Sequence, residues 1–309
     1  MTPFPEPLPR RSLLSAGAAA AAGAGLLAVL AACSPEGAFP GRRPSVDNEA
    51  VPTYRYGDHP SQHADLRLPA GSSMLPVVVV VHGGFWRTAY GSELGVPLAE
   101  DLVDRGWAAL NVEYRRVGDS PTAGGGGWPT TCLDVAAAVD GLAVAGQRIA
   151  GGRLDLGRVV GLGHSAGGHL VGWLGARPGL PAGTPGADPQ VRLSGIVSQA
   201  GVLDLVGADR DNLGDGAAAN FMGGSPADHP EAYALASPLA RLPLGIPSVC
   251  VHGTADVTVP ISQSEVFVEA ARRLGDDSEL QSFDGDHFPP VDVTSQAWEL
   301  CVEALERLL

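Results

Sequence analysis

The chain has 309 residues, 45% of them hydrophobic and 17% charged, the balance of a folded globular protein. Its formal net charge of −14 leaves no basic stripe for a phosphate backbone, which argues against a nucleic-acid partner. All 20 basic residues are arginine, so mechanisms that need an amine (a Walker P-loop, a Schiff base, a Ser-Lys dyad) are excluded.

The N-terminus reads as an address. Residues 9–33, "PRRSLLSAGAAAAAGAGLLAVLAAC", place two arginines before a short run of small and apolar residues that ends at Cys33. Arg10-Arg11-Ser12-Leu13-Leu14 resembles a twin-arginine export signal, and Leu30-Ala31-Ala32-Cys33 resembles a lipobox with Cys33 as the lipidated residue. The expectation is a signal over residues 1–32 and a protein held to the outer face of the cell membrane through Cys33, or else secreted. Residues 33–50, rich in Pro, Gly and charge without periodicity, read as a flexible tether. The domain proper is expected over 51–309.

From there apolar runs alternate with helical patterns. "PTYRYGD" and "QHADLRLP" read as strands, and "LPVVVVVH" as a strand buried on both faces of a parallel sheet. "SELGVPLAEDLVDRG" has helical spacing, "WAALNVEY" is a strand, and "TTCLDVAAAVDGLAVAG" reads as one helix. "GRVVGLGHS" is a strand, "AGGHLVGWLGAR" a helix, "VRLSGIVSQA" and "IPSVCVHGTAD" strands. "ISQSEVFVEAARRLG", "SELQSFDG" and "TSQAWELCVEALERLL" close the chain as helix, strand and amphipathic helix. The pattern predicts an α/β domain with a mostly parallel twisted sheet and helices on both faces. Residues 201–243 interrupt the rhythm with Gly, Asp and Pro and are expected to form a small cap insertion. "AGGGGWP" at 123–129 follows no strand and reads as a flexible loop near the site. Cys132, Cys250 and Cys301 are far apart and outside any CxxC, which favours buried thiols and leaves any pairing open. Scattered histidines offer no metal-ligand spacing, His169 and His252 read as packed core residues, and no cofactor is called for.

In such sheets ligands bind beyond the carboxyl ends of the strands, so the residues just after each strand carry the information. After "RVVGL" comes Gly163-His164-Ser165-Ala166-Gly167, a G-x-S-x-G turn between strand and helix that exposes a serine hydroxyl. After "SVCVHG" comes Asp256, a carboxylate placed to orient a histidine. After "ELQSF" comes Asp284-Gly285-Asp286-His287, with His287 as the general base and Asp286 as the reserve acid. After the valine strand come His82-Gly83-Gly84-Phe85-Trp86, where glycines let backbone amides approach a reacting carbonyl.

With these residues in place the chain resembles the α/β-hydrolase superfamily, in the esterase/lipase-like branch that includes acetyl-ester hydrolases and kynurenine formamidase. The resemblance runs from about Tyr54 to the C-terminus and rests on "YRYGDHPSQHADLRLP", "HGGFWR", "NVEYRR", "GLGHSAGGHLVGWL", "HGTADVTVP" and "GDHF". It implies Ser165 as nucleophile, His287 as base, Asp256 as its partner, and the amides of Gly84, Phe85 and Ala166 as oxyanion donors. The hormone-sensitive-lipase branch carries a third glycine after His-Gly-Gly, whereas Phe85-Trp86 here is similar to the HGGxW pattern of kynurenine formamidases. Trp86 and His164 are the expected substrate contacts, with packing under the oxyanion loop the other role for Phe85 and Trp86. The implied activity is hydrolysis of small or aryl acyl esters. A formamide substrate, N-formylkynurenine, is the second reading, while a peptidase and a non-catalytic binding lipoprotein are weaker ones. The oligomeric state is left open.

Overall fold

The computed structural model describes residues 51–309. The expected signal, tether and lipidation site at Cys33 lie outside these residues. In chain order the described elements are β1 (Thr53–Arg55), β2 (His63–Arg67), β3 (Leu75–Val81), α1 (Val96–Asp104), β4 (Ala108–Val112), α2 (Thr130–Asp140), α3 (Ala145–Ile149), β5 (Leu154–His164) and α4 (Ala166–Ala176). There follow β6 (Gly195–Gln199), α5 (Leu205–Arg210), α6 (Ala217–Met222), α7 (Pro230–Ala236), β7 (Ser248–Gly253), α8 (Ser262–Arg273), β8 (Ser278–Phe283) and α9 (Gln296–Leu308).

Among the described residues the eight strands form one sheet in the order β1-β2-β4-β3-β5-β6-β7-β8. β1, β2 and β4 pair antiparallel, and every pairing from β4 through β3 to β8 is parallel. Side chains alternate faces along a strand. Val77, Val79 and Val81 therefore join the core under α2, α4 and α8, while Val78 and Val80 join the core under α1 and α9. A continuous valine run is thus what a strand with two buried faces demands. The α/β architecture read from the sequence is the one observed.

One helix differs from expectation. The run "TTCLDVAAAVDGLAVAG" breaks at Gly141 into α2, a short 3-10 turn over Gly141–Ala143, and α3. Tyr54 from β1 causes the break. Its hydroxyl donates to the Ala138 carbonyl at 2.5 Å, and a Cβ at Gly141 would lie 2.7 Å from its ring. Asp140 at the break accepts from Arg177 at 2.7 Å and from the amides of Gln190 and Val191 at 3.1 Å, so the carbonyl end of α2 is tied to the loop after α4.

Residues 201–243 carry α5, α6 and α7 between β6 and β7. The "AGGGGWP" segment is not the flexible loop expected. Gly126 N–H donates to Arg116 O at 2.8 Å, Gly127 N–H to Thr131 Oγ1 at 2.9 Å, and Trp128 N–H to Phe221 O at 2.8 Å. Its backbone donors are spent on neighbouring elements, which fixes its course.

Cys132, Cys250 and Cys301 are free and buried. Burial pushes the thiols of Cys250 and Cys301 up to about 12 and that of Cys132 well above its ordinary value. Buried neutral thiols are inert because the thiolate is the reactive form. In a Cys33→Ala variant, Ellman's reagent should label no thiol in the native protein and three after denaturation. Rapid native labelling would contradict the packing of α2, β7 and α9.

Candidate active site

β5 ends at His164 and α4 begins at Ala166, with Ser165 between them at φ 55° and ψ −116°. A non-glycine residue there is strained, and its neighbours must hold it in place. The Ser165 amide donates to Gln199 O at 2.8 Å, and the Ser165 carbonyl accepts from His169 and Val202 at 3.2 Å. Two glycines make the turn possible. A Cβ at Gly163 would fall on the Gly167 carbonyl, and a Cβ at Gly167 would fall on the Val81 carbonyl. Their absence lets the N-terminus of α4 press against the ends of β5 and β3. The free amides and positive dipole end of α4 then lie beside Ser165, where negative charge is favoured.

The acid and the base follow β7 and β8, the last two strands of the sheet, with β6 between them and the serine strand. His287 Nδ1–H donates to Asp256 Oδ2 at 2.6 Å, which leaves Nε2 as the acceptor. Asp256 Oδ1 accepts the amides of Thr258 at 2.8 Å and Val259 at 2.9 Å. His252 approaches the same carboxylate oxygen as His287. Its Nε2–H donates to Val259 O at 2.8 Å and lies 3.3 Å from Asp256 Oδ2, while Nδ1 accepts from Ser264 Oγ at 2.7 Å. Burial by itself would raise the Asp256 carboxyl, but hydrogen bonds from His252, His287 and Val259 hold it well below the usual carboxylate range. A carboxylate so held can stabilise an imidazolium on His287 without taking its proton. Asp286, the reserve acid, is occupied locally: its Oδ1 accepts the Phe288 amide at 3.0 Å. His252 is the packed, hydrogen-bonded residue expected, yet it also fastens the acid.

Ser165 and His287 are 2% and 3% exposed and line one cavity of about 470 Å³. Among the described residues no hydrogen bond joins their side chains; such contacts commonly tighten only when substrate is bound. His164 lines the same cavity. Its Nε2–H donates to the His287 carbonyl at 3.0 Å and its ring lies 4.5 Å from that of His287. Burial first, and the neighbouring His287 second, push His164 down to about 3, so it stays neutral.

The segment after β3 passes in front of Ser165. A Cβ at Gly83 would lie 2.8 Å from His164 O and 3.1 Å from Ser165 Cβ, so no side chain fits. Gly84, Phe85 and Trp86 follow with φ of 110°, 51° and 56°. His82 Nδ1–H donates to the Gly83 carbonyl at 2.8 Å. In a trans peptide that turns the Gly84 amide to the opposite side. His82 is held in turn by Tyr114, whose ring stacks on it at 4.3 Å and whose hydroxyl donates to the His82 carbonyl at 2.8 Å. Beneath lies Glu113, a buried carboxylate that accepts from the Arg116 guanidinium, from the Tyr114 amide at 2.7 Å and from the Ser92 amide at 3.0 Å. Its Oε1 is 3.4 Å from His82 Nε2. Burial alone would raise the Glu113 carboxyl, while His82, Arg116 and the Ser92 amide bring it below its ordinary value. Sequence reasoning assigned no role to Glu113, Tyr114 or Arg116. The available signal was their place just after β4.

The two rings of the HGGFW stretch part company. Phe85 lines the cavity. Trp86, expected as a substrate contact, does not: it is 1% exposed, stacked on Phe221 at 4.6 Å and edge-on to His169 at 5.2 Å. Its role is packing. The insertion over 201–243 likewise contributes no residue to the cavity wall. Phe221 instead holds Trp86 from behind, and the Gly214 carbonyl accepts from the Arg87 guanidinium.

Comparison with known proteins places the chain in a family. The family model BD-FAE matches residues 64–271, two thirds of the chain, taking in Ser165 and Asp256. The chain is 29% identical over 231 residues to esterase LipC of Mycobacterium tuberculosis, covering 71% of this chain and 54% of that protein. It is 30% identical over 210 residues to esterase LipQ of the same organism, covering 65% and 46%. The chain thus spans about half the length of these curated relatives. Among solved structures it is similar to a butyrate-bound esterase of Thermogutta terrifontis, with a TM-score of 0.65, 22% identity, and 84% and 93% of the two chains covered. At that identity the likeness establishes the fold.

The Asp256 environment has a consequence for acid stability. The folded carboxyl is the stronger acid, so unfolding takes up a proton once the pH falls toward the unfolded value near ~3.9. Its contribution is complete above about pH 5 and is lost progressively below. Urea unfolding between pH 3 and 6 should show a shallower acid limb in Asp256→Asn than in the parent; an unchanged slope would mean the carboxylate is not held as described.

Proposed function

The chain belongs to the BD-FAE family, and on that premise we propose that it is a carboxylic ester hydrolase acting through Ser165, His287 and Asp256. One observation carries the reading. His287, joined to Asp256 at 2.6 Å, lines the cavity that also receives Ser165 from its strained turn. The esterase relatives support the reaction class.

In this mechanism Ser165 Oγ attacks the ester carbonyl as His287 Nε2 takes its proton. The new imidazolium is stabilised by Asp256. The amides of Gly84, Phe85 and Ala166 hold the oxyanion, each such donor being worth ~3 kcal/mol of transition-state stabilisation. His287 then gives its proton to the departing alcohol, and a water activated by the same nitrogen frees the acyl group. His82 acts at one remove, by setting the orientation of the Gly84 amide. A cavity of about 470 Å³ exceeds the needs of an acetyl group and suits a larger acyl or aryl ester. With Trp86 packed out of the cavity, nothing in the wall favours a formamide, so N-formylkynurenine is expected to be a poor substrate beside an ester panel.

Ser165→Ala should lower kcat for p-nitrophenyl acetate by ~10⁴-fold or more at an unchanged thermal midpoint, and should abolish labelling by a fluorophosphonate. Asp256→Asn should cost ~10⁴-fold. Asp286→Asn should cost far less, and the reverse order of the two aspartates would reassign the acid. The proposal extends to the N-terminus, where export and lipidation at Cys33 would place the enzyme on the outer membrane face. Cys33→Ala should move it from the membrane fraction to the soluble one.

A further inference from the structure

The segment from Tyr90 to Leu98 supplies much of the cavity wall through Tyr90, Glu93, Leu94, Pro97 and Leu98. Most of this lining is apolar. Among the described residues Glu93 is the only acidic side chain that lines the cavity, and no arginine lines it. Arg87, just after the HGGFW stretch, and Arg116, beside the buried Glu113, are both engaged elsewhere. Arg87 donates to the Gly214 carbonyl, and Arg116 is buried against Glu113.

The Glu93 carboxylate is also fixed. It stands in the 3-10 turn Ser92–Gly95, and its Oε1 accepts the Gly91 amide at 3.0 Å. A Cβ at Gly91 would lie 2.5 Å from Glu93 Oε2 and 2.7 Å from Glu113 Oε2, so a glycine is what lets both carboxylates close on this point. Their charges have different fates. Glu113 is neutralised by Arg116, whereas Glu93 has no ion-pair partner among the described residues. Glu93 is solvent-exposed where it meets the cavity, so one uncompensated negative charge borders a cleft whose other walls are mainly hydrocarbon. Low-dielectric walls focus the field of such a charge into the cleft, and salt screens it because the carboxylate is exposed.

We infer that Glu93 sets the charge selectivity of the site, admitting uncharged and cationic esters and disfavouring esters that carry a carboxylate. This rests on the ester-hydrolase reading above. Glu93 is a specificity residue and takes no part in bond making.

The test compares two p-nitrophenyl esters of matched size, the half-ester of glutaric acid and its neutral monoamide. The full-length wild-type enzyme should prefer the amide in kcat/KM by ~10-fold at low ionic strength, with the ratio shrinking as salt is added. Glu93→Gln, which keeps an oxygen for the Gly91 amide, should bring the ratio toward one. Glu93→Arg should invert it. A merely structural role would lower both rates together and leave the ratio alone. An unchanged ratio in Glu93→Gln, with Ser165→Ala inactive on both esters, would overturn the inference and leave the hydrolase reading standing. Hydrolysis of neither ester by the wild type would remove both.

Discussion

The site depends on one close approach: the first turn of α4 lies against the carbonyl ends of β3 and β5. At Gly163 and Gly167 any side chain would collide with backbone, so this contact exists only because two residues have none. It forces Ser165 into its strained conformation and brings the Gly83–Phe85 segment across the serine. The cost of strain, of order 1–3 kcal/mol, is offset by burial of every residue of α4 and by the valines beneath it. The geometry at Ser165 is thus a property of how a helix packs on a sheet, and the serine side chain inherits it.

A second layer of order lies behind the reacting groups. His252 steadies Asp256, His164 touches His287, and the Glu113–Arg116 pair with Tyr114 steadies His82. Buried ion pairs contribute little net stability, because desolvation consumes most of their attraction. Here the pair has a positional use. Glu113 ties the end of β4 to the Ser92 amide and to His82, and so sets both the oxyanion segment and the cavity wall from one point.

Much of this was legible in the sequence because the fold places chemistry at strand ends. Ser165, Asp256 and His287 each follow an apolar run, and their order along the chain reinforces the assignment. The valine run announced a strand with two buried faces. What escaped depends on partners remote in sequence. The break at Gly141 is imposed by Tyr54, from the far end of the chain. The burial of Trp86 is decided by Phe221, and no local pattern says which of two adjacent rings will turn inward. The Gly-rich run at 123–127 looked loose because its composition is loose, yet its amides find acceptors, most of them in residues 116–120 just before it and one at Thr131 of α2. Glu93 gave no signal either, since a glutamate opening a helical turn is ordinary until the wall it joins is known.

The insertion between β6 and β7 lines no part of the cavity itself but backs it, through Phe221 against Trp86, the Gly214 carbonyl on Arg87, and Gly214 close against the ring of Phe85. It therefore works as a splint. A change in these helices would be felt first in how stiffly the segment from Gly84 to Arg87 is held. The cavity is thus shaped from two sides, by the turn that leads into α1 at its wall and by α5–α7 from behind, and a change on either side reaches it through a different set of contacts.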